Sequence, residues 1–214
     1  MKKMRVLVVE DQTMPRQLFE LLSRTSEDFE LAAAIDSAEL ADLYCLNNAV
    51  ELVLMDVITR GSRSGLDAAA RIKRQTPQVK IIVVTSMPEC SYIDRARAIG
   101  VESFWYKDAS EESILDVMRR TAAGERVYPD APPRLILGSA GSDEFTGREL
   151  EVLREMTGGY TNVEIGERLH MSVGSVKAHI LSMLEKTGFR NRTELAVRAR
   201  ESGLVILEEE CPEI

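Results

Sequence analysis

The sequence predicts an α/β domain, a doubly wound parallel sheet of five strands with helices between them, followed by a small all-α domain. Three observations predict it. Short apolar runs recur through residues 1–122, each followed by a helical pattern. The runs are bulky and do not alternate with polar residues, as expected of strands buried on both faces. After a break rich in proline and glycine, helix signals alone fill residues 143–205.

The elements follow in order. Arg5–Val9 is the first strand. Thr13 caps the next helix, Pro15 sits near its start, and Leu18, Leu21 and Leu22 mark its apolar face. Glu30–Ile35 is the second strand. Asp36 and Glu39 pair as a capping box for a helix through Asn47. Leu52–Met55 is the third strand and ends at Asp56. Gly65–Gln75 is a helix stopped by Pro77. Lys80–Thr85 is the fourth strand, and Ser91–Ile99 a helix ended by Gly100. Phe104–Lys107 is the fifth strand. Ser110 caps a last helix with Ile114, Leu115 and Met118 on its buried side.

Residues 123–142 hold Pro129, Pro132, Pro133, Gly138 and Gly141 with no helical period, which reads as a semi-rigid linker. Beyond it, Thr146 with Glu149 and Thr161 with Glu164 form two capping boxes. Ser172 caps a third helix from Val173 to about Lys186, ended by Gly188. Asn191 and Glu194 cap a fourth, with Leu195 and Val197 inside. Four short helices with a tight turn at His170-Met171 suggest a helix-turn-helix. Residues 206–214 are an acidic tail.

The strand ends carry the chemistry. Glu10-Asp11, Asp56, Thr85 and Lys107 each follow an apolar run. Parallel strands bring them to one edge, where ligands bind in open α/β sheets.

Composition narrows the function. No window approaches the 18 apolar residues of a membrane span, and no signal peptide precedes the first strand. Cys45, Cys90 and Cys211 are unpaired by spacing, which fits a reducing cytoplasm, and no Cys/His cluster has zinc spacing. Net charge is -8, but residues 157–200 carry seven basic groups against four acidic, a balance compatible with duplex binding.

These motifs resemble a known family. Glu10-Asp11, Asp56, Thr85 and Lys107 at the ends of strands one, three, four and five resemble the receiver domain of two-component response regulators. Residues 145–154, 161–166, 175–180 and 192–195 resemble the LuxR-type helix-turn-helix. Together they resemble a regulator of the NarL/FixJ type. The resemblance implies a flavodoxin-like receiver over 1–122, a linker over 123–142, a LuxR-type DNA-binding domain over 143–205 and the tail.

It also implies site roles. Asp56 is the phosphorylated nucleophile. Glu10, Asp11 and Asp56, with the backbone carbonyl of Ile58, hold Mg²⁺. Lys107 balances the phosphoryl charge, Thr85 turns to hydrogen-bond it, and Phe104 follows as an aromatic switch. Residues 173–186 form the recognition helix, with Lys177 and His179 facing DNA and Ser172, Ser175 and Thr161 as phosphate donors. The implied partners are a sensor histidine kinase, duplex promoter DNA and, once phosphorylated, a second copy of the chain.

The sequence departs from the family in one loop. Thr59-Arg60 replaces Met-Pro, and Gly65 stands nine residues after Asp56 rather than eight. This motivates an alternative reading, a DNA-binding regulator whose atypical receiver takes no phosphate. A phosphohydrolase reading fails on Val57 and Ile58, which stand where a second acid would be needed. The expectation is a regulator rather than an enzyme.

Overall fold

The computed structural model describes residues 2–60, 64–87, 91–107, 110 and 112–205. The first unit runs β1 (Met4–Val9), α1 (Thr13–Thr25), β2 (Phe29–Ile35), α2 (Ala41–Asn47), β3 (Leu52–Asp56), α3 (Gly65–Gln75), β4 (Lys80–Thr85), α4 (Ser91–Ile99), β5 (Ser103–Tyr106) and α5 (Ile114–Ala122). Its five strands are ordered β2-β1-β3-β4-β5, all parallel. The register sets Val9 against Met55, Asp56 against Val84 and Thr85 against Tyr106. Glu10, Asp56, Thr85 and Lys107 therefore share one edge because each strand ends at the same height.

Alternate strand residues divide the core. Val6, Val8, Leu52, Leu54, Ile82 and Val84 pack with Phe19 of α1 and with Ile114, Val117 and Met118 of α5. The intervening residues, such as Val53, Met55, Ile81 and Val83, are equally buried and face the other side of the pleat. Leu66, Ala69 and Ile72 of α3 and Ala96 of α4 are fully buried there.

Three helix starts and one helix face differ from the sequence reading. In α1, Leu18 and Leu21 are 47% and 57% exposed, while Phe19 and Ser23 turn inward. The aromatic ring selects the face, and the Ser23 hydroxyl is satisfied by donating to the Phe19 carbonyl at 2.8 Å. Gln12, not Thr13, precedes this helix. Ser37 rather than Asp36 caps the 3₁₀ turn before α2, and Asp36 pairs with Arg60 instead. Ser113 caps α5, whereas the Ser110 hydroxyl accepts from the Tyr106 amide at 3.1 Å.

The stretch 123–142 is not irregular throughout. The Phe104 amide donates to the Val127 carbonyl at 2.8 Å, so Val127 runs along the outer edge of β5. Further on, β6 (Ile136–Leu137) and β7 (Ala140–Gly141) form a short antiparallel hairpin. Proline and glycine content conceals both features, because neither is long enough to show a period.

The second unit contains that hairpin and α6 (Gly147–Thr157), α7 (Asn162–Arg168), α8 (Val173–Thr187) and α9 (Arg192–Ser202). Both capping boxes form, and Ser172 and Asn191 cap α8 and α9. Leu153, Ile165, Val176, Met183, Leu195 and Ala199 are buried at its centre. Val197 is not: it is 49% exposed, because α9 turns Leu195 and Ala199 inward at i, i+4. Between α7 and α8, His170 adopts a left-handed backbone, φ 52°, and the Met171 amide returns to the Gly166 carbonyl at 2.8 Å. A Cβ on Gly166 would stand 2.8 Å from the Met171 carbonyl oxygen, so the turn closes on the glycine.

The lengthened loop after Asp56 is held at both ends. Thr59 is buried and its hydroxyl oxygen accepts from the Ala38 amide at 2.9 Å. The Gly65 amide donates to the Val57 carbonyl at 2.8 Å, and a Cβ there would lie 1.8 Å from the Asp56 carbonyl oxygen. Gly65→Ala is therefore expected to destabilise the first unit by on the order of 3 kcal/mol, as overpacking against fixed backbone does. Thermal unfolding checks this, with a Tm lowered by several degrees as the expected outcome.

Candidate functional site

Parallel register delivers Glu10, Asp11, Asp56 and Lys107 to the carboxyl edge of the sheet. Oxygens of Glu10, Asp11 and Asp56 all lie within 4.8 Å of one another. Glu10 is fully buried, Asp56 is 3% exposed and Asp11 is half-buried. The Lys107 amine reaches in from the end of β5 and donates to Asp56 Oδ2 at 2.8 Å. It also forms an ion pair with the buried Glu10 Oε2 at 2.5 Å. The Gln12 amide holds the other Glu10 oxygen at 3.0 Å, and the Ile58 amide lies 3.5 Å from Asp56 Oδ1.

Three carboxylates against one amine leave the ionised cluster at a net charge near -2. Burial pushes the Asp56 carboxyl up to about 7, with Lys107 opposing the rise and Glu10 adding to it. Burial works against the Lys107 ammonium, but the Asp56 charge, the hydrogen bond to it and nearby Glu10 outweigh burial and raise its pKa. An all-oxygen donor set and excess negative charge fit a hard divalent cation.

Thr85 is 1% exposed at the end of β4, and the Lys107 amide donates to its carbonyl at 2.9 Å. Phe104 stands apart from the acids. It is 1% exposed, 5.0 Å from the Tyr106 ring centroid and 6.4 Å from that of Tyr128. The Ile58 side chain is 39% exposed at the rim of the acids.

The second candidate surface is α8 in the second unit. Lys177 is exposed, His179 half-buried and Leu181 58% exposed. Ser172, Ser175 and Thr161 are exposed at helix starts, where their side-chain oxygens serve caps. Arg192 has a structural task instead, donating to Asn162 Oδ1 and to the Tyr160 carbonyl, each at 2.8 Å.

Glu149 has a role beyond its capping box. One oxygen takes the Thr146 amide at 2.7 Å, and the other takes the Ser182 hydroxyl at 2.7 Å and the Lys186 amine at 2.9 Å. The carboxylate thus pins α8 to the start of α6. The signal for it was Ser182 and Lys186, spaced i, i+4 on one face of α8.

Comparison with known proteins matches a family to each unit. Residues 6–119 match the family described as response regulator receiver domain. Residues 143–199 match bacterial regulatory proteins of the luxR family. The response regulator protein VraR of Staphylococcus aureus is 29% identical over 209 residues, covering 94% of this chain and 98% of its own. A structure of two RcsB dimers bound to two parallel DNAs has a TM-score of 0.62 at 16% identity, covering 93% of this chain and 98% of that one. RcsB from Salmonella enterica serovar Typhimurium, bound to a promoter with the phosphomimetic BeF3-, has a TM-score of 0.61 at 18% identity, covering 95% and 100%. At these identities the two structures speak for the fold.

Buried desolvation opposes the Glu149 charge, but its hydrogen bonds to Lys186, Thr146 and Ser182 prevail and hold the pKa down to about 2. A depressed carboxyl contributes stability above its ordinary pKa near 4.5 and loses it as pH falls toward 2. Glu149→Gln is expected to cost the second unit on the order of 2 kcal/mol at pH 7 and to flatten its stability between pH 5 and about 2. Urea unfolding across that range checks both.

Proposed function

The chain belongs to the two-component response regulators of the NarL/FixJ type, a receiver domain followed by a LuxR-family DNA-binding domain, and from that membership we propose that phosphorylation of Asp56 controls its binding to DNA. The observation that carries the reading is the Lys107 amine 2.8 Å from Asp56 within a cluster of three acids. A carboxylate so placed attacks phosphorus of a kinase phosphohistidine. The new O–P bond forms, the N–P bond breaks, and the imidazole leaves with the electron pair.

Glu10, Asp11 and Asp56, with the Ile58 backbone carbonyl, would hold Mg²⁺, which offsets the charge of the phosphoryl oxygens when bound. Lys107 then turns from carboxylate to phosphoryl oxygen and keeps a cation against the new anion. Thr85, opposite Tyr106 at the same edge, donates its hydroxyl to that group. Phe104 follows as the switch aromatic. The domains serving these steps are a receiver over 1–122 and an output domain over 143–205.

In the output domain, exposed Lys177 near the start of α8 meets base or phosphate, with His179 beside it. Thr161 and Ser172 accept within caps, the Ser172 and Ser175 hydroxyls bond each other at 2.9 Å, and these exposed hydroxyls at helix starts would turn to backbone phosphates. The exposed Val197 on α9 suits a contact between two output domains over residues 191–202. The loop after Asp56, which motivated a receiver that takes no phosphate, is pinned through Thr59 and Gly65.

Two outcomes are expected. Incubation with Mg²⁺ and acetyl phosphate adds about 80 Da to the intact protein, and Asp56→Asn adds none. Intact mass decides, and an equal gain in the variant would move the nucleophile elsewhere. Lys177→Ala weakens duplex binding and lowers the slope of log affinity against log salt by about one. Fluorescence anisotropy at several salt concentrations reads both, and an unchanged slope would remove Lys177 from the phosphate contacts.

A further inference from the structure

The outer edge of β5 is held by the chain just beyond α5. The Phe104 amide donates to the Val127 carbonyl at 2.8 Å. The Val127 amide donates to Ser103 Oγ at 3.1 Å. Thr121 spends its hydroxyl proton on the Val117 carbonyl at 2.7 Å, so Ser103 must donate to Thr121 across 2.7 Å. Val127 packs on the core beneath α1 and α5. Tyr128 turns to the opposite side, as alternation along an edge requires. Its hydroxyl donates to the Val101 carbonyl at 2.7 Å, and Arg97 lies 5.0 Å over its ring.

This clasp is joined to the acid cluster. Tyr106, next to Lys107, stacks 5.0 Å from Phe104, and Phe104 lies 6.4 Å from Tyr128. The row of rings runs from the residue beside the buried amine to the chain leaving the receiver. β5 is only four residues long, with Lys107 at one end and Val127 bonded at the other.

We propose that Val127 and Tyr128 form a releasable clasp, docked on β5 in the resting receiver and undocked when Lys107 shifts onto a phosphoryl group at Asp56. The inference rests on the phosphorylation reading above. Its consequence is tether length. Between docked Tyr128 and Arg134, which is bonded to Asp143 at 2.8 Å, lie residues 129–133. Three of them are prolines, so the tether spans about 16 Å. Release of residues 126–128 extends it to about 25 Å. Paired helix-turn-helix units reach half-sites about 34 Å apart, so the added length bears on whether two copies can bind together.

The test follows amide exchange at Phe104 and tryptic cleavage after Arg126 in the full chain, with and without Mg²⁺ and acetyl phosphate. Intact mass is read in parallel. The clasp predicts that a protein carrying the phosphoryl mass gain exchanges Phe104 at least tenfold faster and is cut faster after Arg126. Val127→Pro, which deletes the donor to Ser103 and also makes the bond after Arg126 resistant to trypsin, is read by exchange alone and should show the faster Phe104 exchange without phosphodonor. Tyr128→Phe keeps the ring and loses only the bond to Val101, so it should move both readouts the same way by less. Full mass gain with Phe104 equally protected overturns the clasp and leaves phosphorylation intact. If no mass is gained, the phosphorylation reading fails, and the variants decide the clasp alone. Tighter DNA binding by the two variants without phosphodonor supports it, and unchanged affinity in both overturns it.

Discussion

The amine of Lys107 sits between Asp56 and Glu10 with almost no water around it, at 6% side-chain exposure. Burial drives the Asp56 carboxyl toward its neutral form, and the amine opposes that, because an isolated buried charge is expensive. The amine in turn stays protonated because of Asp56 and Glu10. Yet the balance is incomplete, since Asp11 adds a third negative charge. A site so composed suits a cation and would respond to any new anion among its members. The receiver's geometry follows from keeping this cluster assembled.

Assembly depends on backbone. β1, β3, β4 and β5 end at one height because the register between them is in step. Gly65 brings the start of α3 against the Asp56 carbonyl, a distance no side chain permits. Thr59 ties the intervening loop to the turn before α2. Both described flanks of the lengthened loop are thus hydrogen-bonded, Thr59 to Ala38 and Gly65 to Val57. In the output unit the same economy appears at Glu149, one carboxylate that finishes α6 and fixes α8.

Much of this was legible in the sequence. Unbroken apolar runs identified the five strands, and their polar termini identified the acid cluster and Lys107. Capping boxes at Thr146 and Thr161 located α6 and α7, since that motif is local and its chemistry is complete within four residues. What escaped the reading was set by tertiary choice. Leucine count pointed α1 the wrong way, because one phenylalanine and a self-satisfied serine fix its inner face. Val197 looked like core for the same reason. Asp36 and Ser110 could cap, but the caps fall on Ser37, one residue on, and Ser113, three residues on. Val127 carries no strand period, and only the open edge of β5 makes it one residue of a sheet.

In the proposed reading the two halves of the chain carry complementary chemistry, an acid cluster suited to a phosphoryl group and a helix with an exposed Lys177 suited to a duplex. Their coupling is the central claim. The most direct measurement is the DNA affinity of the full chain at fixed salt, before and after Mg²⁺ and acetyl phosphate. The account predicts an affinity that rises several-fold in the native protein and not at all in Asp56→Asn. Native protein that carries the covalent phosphoryl group yet binds DNA with unchanged affinity would contradict it.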